Sequence, residues 1–117
     1  MAEMERNEIV VLSSTLVRME KLFDRGIGSQ GDYISDATVT ATIYDTDGIT
    51  ELPHDDDAPV GWPVTLVYVN GTRGQYDYTV LNPLKVVKGE TYKVVINSQR
   101  PSGVKRRFIA YVPASDT

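Results

Sequence analysis

Apolar and polar positions alternate along much of this chain, in short runs separated by clusters of Gly, Pro, Asn and Asp. The clearest run is 37–44. Ala37, Val39, Ala41 and Ile43 form an apolar face, and Thr38, Thr40, Thr42 and Tyr44 a polar one. A period of two predicts a half-buried antiparallel strand. Residues 8–12 form a short β-branched run. Residues 15–23 fit two readings. Leu16, Met19, Leu22 and Phe23 have helical spacing, but strands on both sides favour an extended run with Val17, Met19 and Phe23 opposed to Arg18 and Glu20. Residues 24–36, with three Gly, read as a long surface turn.

Further on, Asp45-Thr46-Asp47-Gly48 predicts a turn in which Gly48 takes positive φ. Residues 49–52 suggest a short returning strand. Two prolines bound the acidic loop 53–59. Gly61-Trp62-Pro63 opens a predicted hairpin, with 64–70 and 75–81 as its arms and 71–74 as its turn. Residues 80–96 then bend at Pro83 and Gly89 before Tyr92, Val94 and Ile96 enter a strand. A Gly just ahead of a strand-opening Tyr predicts a tyrosine corner, in which the Tyr92 hydroxyl meets the backbone upstream. Residues 97–103 read as a polar turn. Residues 104–112 read as the last strand, with Phe108, Ala110 and Val112 facing the core and Lys105, Arg107, Ile109 and Tyr111 facing out.

The expected fold is an all-β, immunoglobulin-like antiparallel β-sandwich of about seven strands, with a short N-terminal strand or helix. Residues 8–113 form the single domain. Residues 1–7 are expected to be a flexible arm and 114–117 a tail. Composition agrees, since seven Tyr and abundant Val and Thr favour strands. With no Cys, disulfides, thiolate metal sites and a Cys nucleophile are excluded. No basic start precedes an apolar stretch, and no run is long enough to span a membrane, so neither a signal peptide nor a membrane role is expected.

The net charge of −4 hides an asymmetry. Through Val60 there are thirteen acids and four bases, a balance of −9, and from Gly61 onward three acids and eight bases, a balance of +5. Such halves can pair within one fold or between copies head to tail. His54-Asp55-Asp56-Asp57 holds possible oxygen ligands, but consecutive loop residues cannot all point at one ion, so a solvated acidic loop is expected and no metal or cofactor. Lys105, Arg106, Arg107 and Arg100 form the only basic cluster, too small a charge to expect nucleic-acid binding. The candidate protein-contact residues are Asp55, Asp56, Asp57, Lys105 and Arg107, with Val10 and Val11 on a possible edge strand. Tyr92, Gly89, Pro83 and Trp62 are assigned structural roles. No nucleophile elbow and no phosphate-cradling Gly loop is present, so no enzyme is expected.

Residues 36–48, Trp62-Pro63, residues 74–78 and Gly89 to Tyr92 together resemble small immunoglobulin-like proteins encoded among the head and tail morphogenesis genes of tailed bacteriophages and prophages. The likeness spans about residues 30–112. It implies a virion structural protein made in the bacterial host cytoplasm: a capsid decoration, head-tail connection or tail accessory component. Its partners would be other virion proteins and further copies of itself. The same turn-and-strand signals fit bacterial immunoglobulin-like modules, and Trp62 with Tyr68, Tyr76, Tyr78, Tyr92 and Tyr111 could instead line a carbohydrate platform. That alternative is a glycan-binding or adhesion-type module.

Overall fold

The structure, a computed structural model, describes residues 9–20, 36–72, 74–103 and 105–115. Within them the chain forms seven strands: β1 (Ile9–Leu12), β2 (Leu16–Glu20), β3 (Thr38–Tyr44), β4 (Val64–Tyr68), β5 (Tyr76–Thr79), β6 (Thr91–Gln99) and β7 (Lys105–Pro113). All neighbours are antiparallel, in the order β1-β2-β5-β4-β3-β6-β7. The all-β architecture of about seven strands therefore holds. The order also divides into two sets, β1-β2-β5-β4 and β3-β6-β7. Hydrogen bonding does not stop between the sets, however. β4 pairs first with β3, at Val64↔Ala41 and Leu66↔Val39, and then with β5, at Val67↔Asp77 and Tyr68↔Tyr76. The result is one nearly closed sheet. At its seam Leu12 O accepts the Ser115 N–H at 3.0 Å.

Alternation decides what is buried. Val17 and Met19 on β2, Val39, Ala41 and Ile43 on β3, Leu66 on β4, and Tyr92, Val94 and Ile96 on β6 point inward and form the core. Leu52 and Leu84, from loops, close one end of it. Burying each large aliphatic side chain contributes roughly 1.5–3 kcal/mol. Residues 16–20 are thus a strand and not a helix. Phe23 and residues 24–35 lie outside the described residues, as do residues 1–7.

Strand ends shift by a residue or two throughout, and two differences from the sequence reading go further. β6 continues through Gln99, because Ser98 takes the next inward position and is buried there. A small polar residue hid the continuing alternation. Residues 49–52 form no strand. Glu51 makes a single bridge to Tyr44, and Leu52 N–H donates to Ile43 O at 3.0 Å.

The corner at the start of β6 is held from several sides. Tyr92 is 2% exposed, and its hydroxyl accepts the Val87 N–H at 2.8 Å. Gly89 has φ 90°, a conformation that side chains with a Cβ rarely adopt. Its N–H donates to Ala114 O, and Ala114 N–H returns a bond to Glu90 O, each 2.9 Å. Ala114, assigned to the tail from sequence, is therefore buried and bonded to this corner.

Candidate functional site

Among the described residues the three longest strands, β3, β6 and β7, lie side by side and present one regular outer face. Register places its side chains in rows across the strands. Thr38, Gln99 and Lys105 form one row, and Thr40, Asn97 and Arg107 the next. Thr42, Val95 and Ile109 follow, then Tyr44, Lys93 and Tyr111. Rows two residues apart along a strand are about 7 Å apart. The face thus begins with two hydroxyl-amide-cation rows and ends in apolar and aromatic ones. The polar rows line a groove of about 390 Å³. At the other end Ile109 is 51% and Tyr111 68% exposed, while Val95 between Thr42 and Ile109 is 5% exposed. Lys93 Nζ lies 5.5 Å from the centre of the Tyr44 ring, a cation over an aromatic face. The inward side of β7 differs. Arg106 covers the Phe108 ring at 4.9 Å, and Phe108 and Val112 pack against the core.

Lys105 and Arg107 both lie on this face, and among the described residues neither enters an ion pair. Other charges are paired within the fold. Arg18 and Asp77 are cross-strand partners joined by two hydrogen bonds, 2.8 and 3.0 Å, which raise the Arg18 pKa and keep the guanidinium charged. Arg100 lies 3.7 Å from Asp36.

The acidic turn 53–59 is at the opposite end of the strands. Tyr44 pairs with Lys93 near the start of β6, whereas Arg107 and Lys105 pair with Asn97 and Gln99 toward its finish. From Lys93 to Gln99 is about 20 Å along an extended strand. The turn is fastened to residues 82–85. Asp55 N–H donates to Pro83 O at 2.8 Å, and His54 Nδ1 donates to Asn82 O at 2.7 Å. Asp56 Oδ1 accepts the Ala58 N–H at 3.0 Å, which is the main reason its pKa is lowered. Lys85 pairs with Asp57, and that hydrogen bond raises the lysine pKa. Asp47 holds its own turn, accepting the N–H groups of Ile49 and Thr50 at 2.9 Å, and its pKa is lowered for that reason. Among the described residues no group of three or more His, Asp or Glu is placed to hold a metal ion.

The remaining candidates fall in separate places. Val10 packs against the core, and Val11 lies opposite Arg18 on β1, at the far side of the seam. Pro83 supplies the carbonyl that anchors Asp55. Trp62 is half-buried and donates from Nε1 to Leu52 O at 2.8 Å; a groove of about 360 Å³ runs beside it. The aromatic residues do not share a face. Tyr76 and Tyr92 are buried, and Tyr68 tilts against Tyr76 with ring centres 5.5 Å apart, while Tyr111 alone among these exposes most of its surface. Burial raises the Tyr76 pKa, so its hydroxyl stays protonated and accepts the Ala37 N–H at 3.3 Å.

Sequence reasoning found Lys105, Arg107, Ile109 and Tyr111 on one face of β7, but it missed Asn97 and Gln99 as members of the same surface. The detectable signal was Ser98, an inward position filled by a small polar residue. No family model, curated protein or solved structure matches this chain.

Proposed function

We propose that this domain is a non-enzymatic structural component of a tailed-bacteriophage particle, acting through protein-protein contacts. Capsid decoration, head-tail connection and a tail accessory position all fit this role. The contact surface is the outer face of β3, β6 and β7. One observation carries the reading: Ile109 and Tyr111 stand exposed beside an arginine- and amide-lined groove on a regular ladder of nine-residue strands. Exposed aromatic residues and arginine on a stiff support are what protein interfaces favour. The motifs around Trp62, Gly74 and Gly89 that resemble phage morphogenesis proteins also support it.

The test is incorporation into particles. Natural protein should co-purify with tailed-bacteriophage particles, and Tyr111→Ala with Ile109→Ser should reduce that at least about tenfold, as expected for residues at an interface centre. Protein absent from particles, or a double variant incorporated as well as the natural chain, overturns the proposal. The groove beside Trp62 supports the competing glycan-binding reading. Binding on a glycan array that Trp62→Ala abolishes would favour it instead.

A further inference from the structure

The connection between β4 and β5 carries Asn70-Gly71, in which a side-chain amide and the next backbone nitrogen are one bond short of a five-membered ring. Both residues are exposed. Thr72 N–H donates to Val69 O at 3.3 Å, which makes 69–72 a turn with Gly71 in its third place at φ 82°. A Cβ built on Gly71 would meet nothing within 4 Å, so the ring has room to form. The turn is clamped on either side of this pair. The Thr72 hydroxyl donates to Val69 O at 2.6 Å, and Thr72 O accepts the Tyr68 hydroxyl at 2.7 Å. The Asn70–Gly71 peptide itself is not held. Among the described residues the Gly71 N–H has no backbone acceptor and the Asn70 amide no hydrogen-bond partner.

We propose that Asn70 is a self-modification site, deamidated by attack of the Gly71 nitrogen, so that the domain ages into a form with aspartate or isoaspartate at this position. The Gly71 nitrogen gives up its proton and bonds to Asn70 Cγ. The Cγ–Nδ2 bond breaks, and Nδ2 leaves with that proton as ammonia. Water then opens the cyclic imide. Entry at Cγ restores the backbone and leaves an aspartate. Entry at the Asn70 backbone carbonyl carbon leaves the main chain running through the side chain, as isoaspartate. Amide and water become carboxylic acid and ammonia, with no oxidant or reductant. The new carboxylate takes the net charge from −4 to −5 at neutral pH. Isoaspartate also lengthens the turn backbone by a methylene, which works against the Val69–Thr72 bond.

The other places where this ring could close are each blocked. Asn82 precedes Pro83, which has no N–H to lose. Asn97-Ser98 lies inside β6, paired with β3 on one side and β7 on the other. Asp47-Gly48 has the same geometry in sequence, but Gly48 N–H donates to Asp45 O at 2.8 Å. The Asp47 carboxylate accepts the N–H groups of Ile49 and Thr50 at 2.9 Å and the Thr50 hydroxyl at 2.7 Å. Those bonds keep it ionised, and a carboxylate resists nucleophilic attack. Asn70 therefore stands apart among the described asparagines by position and by neighbour.

The test is to hold the natural full-length chain at mildly alkaline pH and follow it by ion exchange and peptide mapping. An acidic form should accumulate, faster as pH rises because the attacking nitrogen must lose its proton. Conversion at Asn70 should lead that at Asn97 by at least about tenfold, since β6 must first open locally. Aspartate and isoaspartate should appear at position 70 together, and Asp47 should stay unchanged. Asn70→Ser, a surface change, should remove the early acidic form while leaving the melting curve in place. Equal conversion at Asn70 and Asn97, aspartate without isoaspartate, or an acidic form that persists in Asn70→Ser overturns the proposal. The measurement reads one peptide of the isolated protein and not particle assembly, so the two proposals stand or fall separately.

Discussion

The acidic turn 53–59 and the basic rows at the far end of β6 and β7 look alike in sequence, as two clusters of one sign each, but the fold treats them differently. The acidic turn is largely used up. Asp56 accepts a backbone N–H, Asp57 pairs with Lys85, and the loop backbone is fastened to Asn82 and Pro83. The basic rows sit on regular strands held in register with β6, and among the described residues Lys105 and Arg107 enter no ion pair. A cluster in a loop tends to be spent shaping the loop, because loop backbone groups need partners. A cluster on the outer face of a ladder has no such duty and is free to meet something else.

Four measurements sharpen or break this contrast. The largest effect should come from the scaffold. Ile96→Ala empties a core position directly beneath the face and should cost about 2–5 kcal/mol in denaturant unfolding. A smaller loss would mean that the face rests on a softer support than the buried ladder suggests. Next, Tyr92→Phe should cost on the order of 1 kcal/mol, the net worth of the hydrogen bond from Val87 N–H. Unchanged denaturant melts would refute the corner as a fastening.

The third measurement is acid unfolding. Asp47 and Asp56 have folded pKa values lowered by backbone N–H groups. Groups of that kind add stability that is fully present above the ordinary aspartate value near 3.9 and is lost as pH falls through the depressed folded value. Asp47→Asn with Asp56→Asn should flatten the acid limb below about pH 4 and leave the neutral region's slope unchanged. An unaltered acid limb would show that these carboxylates do not hold their turns.

The smallest effect on stability should come from Lys105→Glu with Arg107→Glu, expected within about 0.5 kcal/mol at physiological salt. The same variant should change partner binding and its salt dependence. A clear loss of stability with unchanged binding would reverse the comparison and make the basic rows structural.

Much of this was legible in the chain. The period of two set the faces of β3 and β7, and the Gly89–Tyr92 spacing pointed to the corner that the Val87–Tyr92 hydrogen bond makes. The missed parts have physical causes. Ser98 broke the apolar rhythm without breaking the strand, since an inward position at the end of a sheet tolerates a small polar group. Residues 49–52 carry a strand-like pattern, yet only Leu52 is buried and Ile49 stands exposed, so the run contributes one anchor and not a ladder. β4 could be recognised as a strand, but not as one divided between two neighbours.

By itself the sequence determined an all-β chain, the inward and outward sides of its strands, and the turns that separate them. Each of those is a local property, written in alternation and in the backbone demands of Gly and Pro. Only the tertiary structure decided that β4 joins the two strand sets, that the acidic turn and the basic rows lie at opposite ends of the sheet, and that Asn97 and Gln99 stand in line with Arg107 and Lys105. Those are pairing facts. A strand's own pattern shows which side is buried, whereas its partner is chosen by the combined fit of residues far apart in the chain.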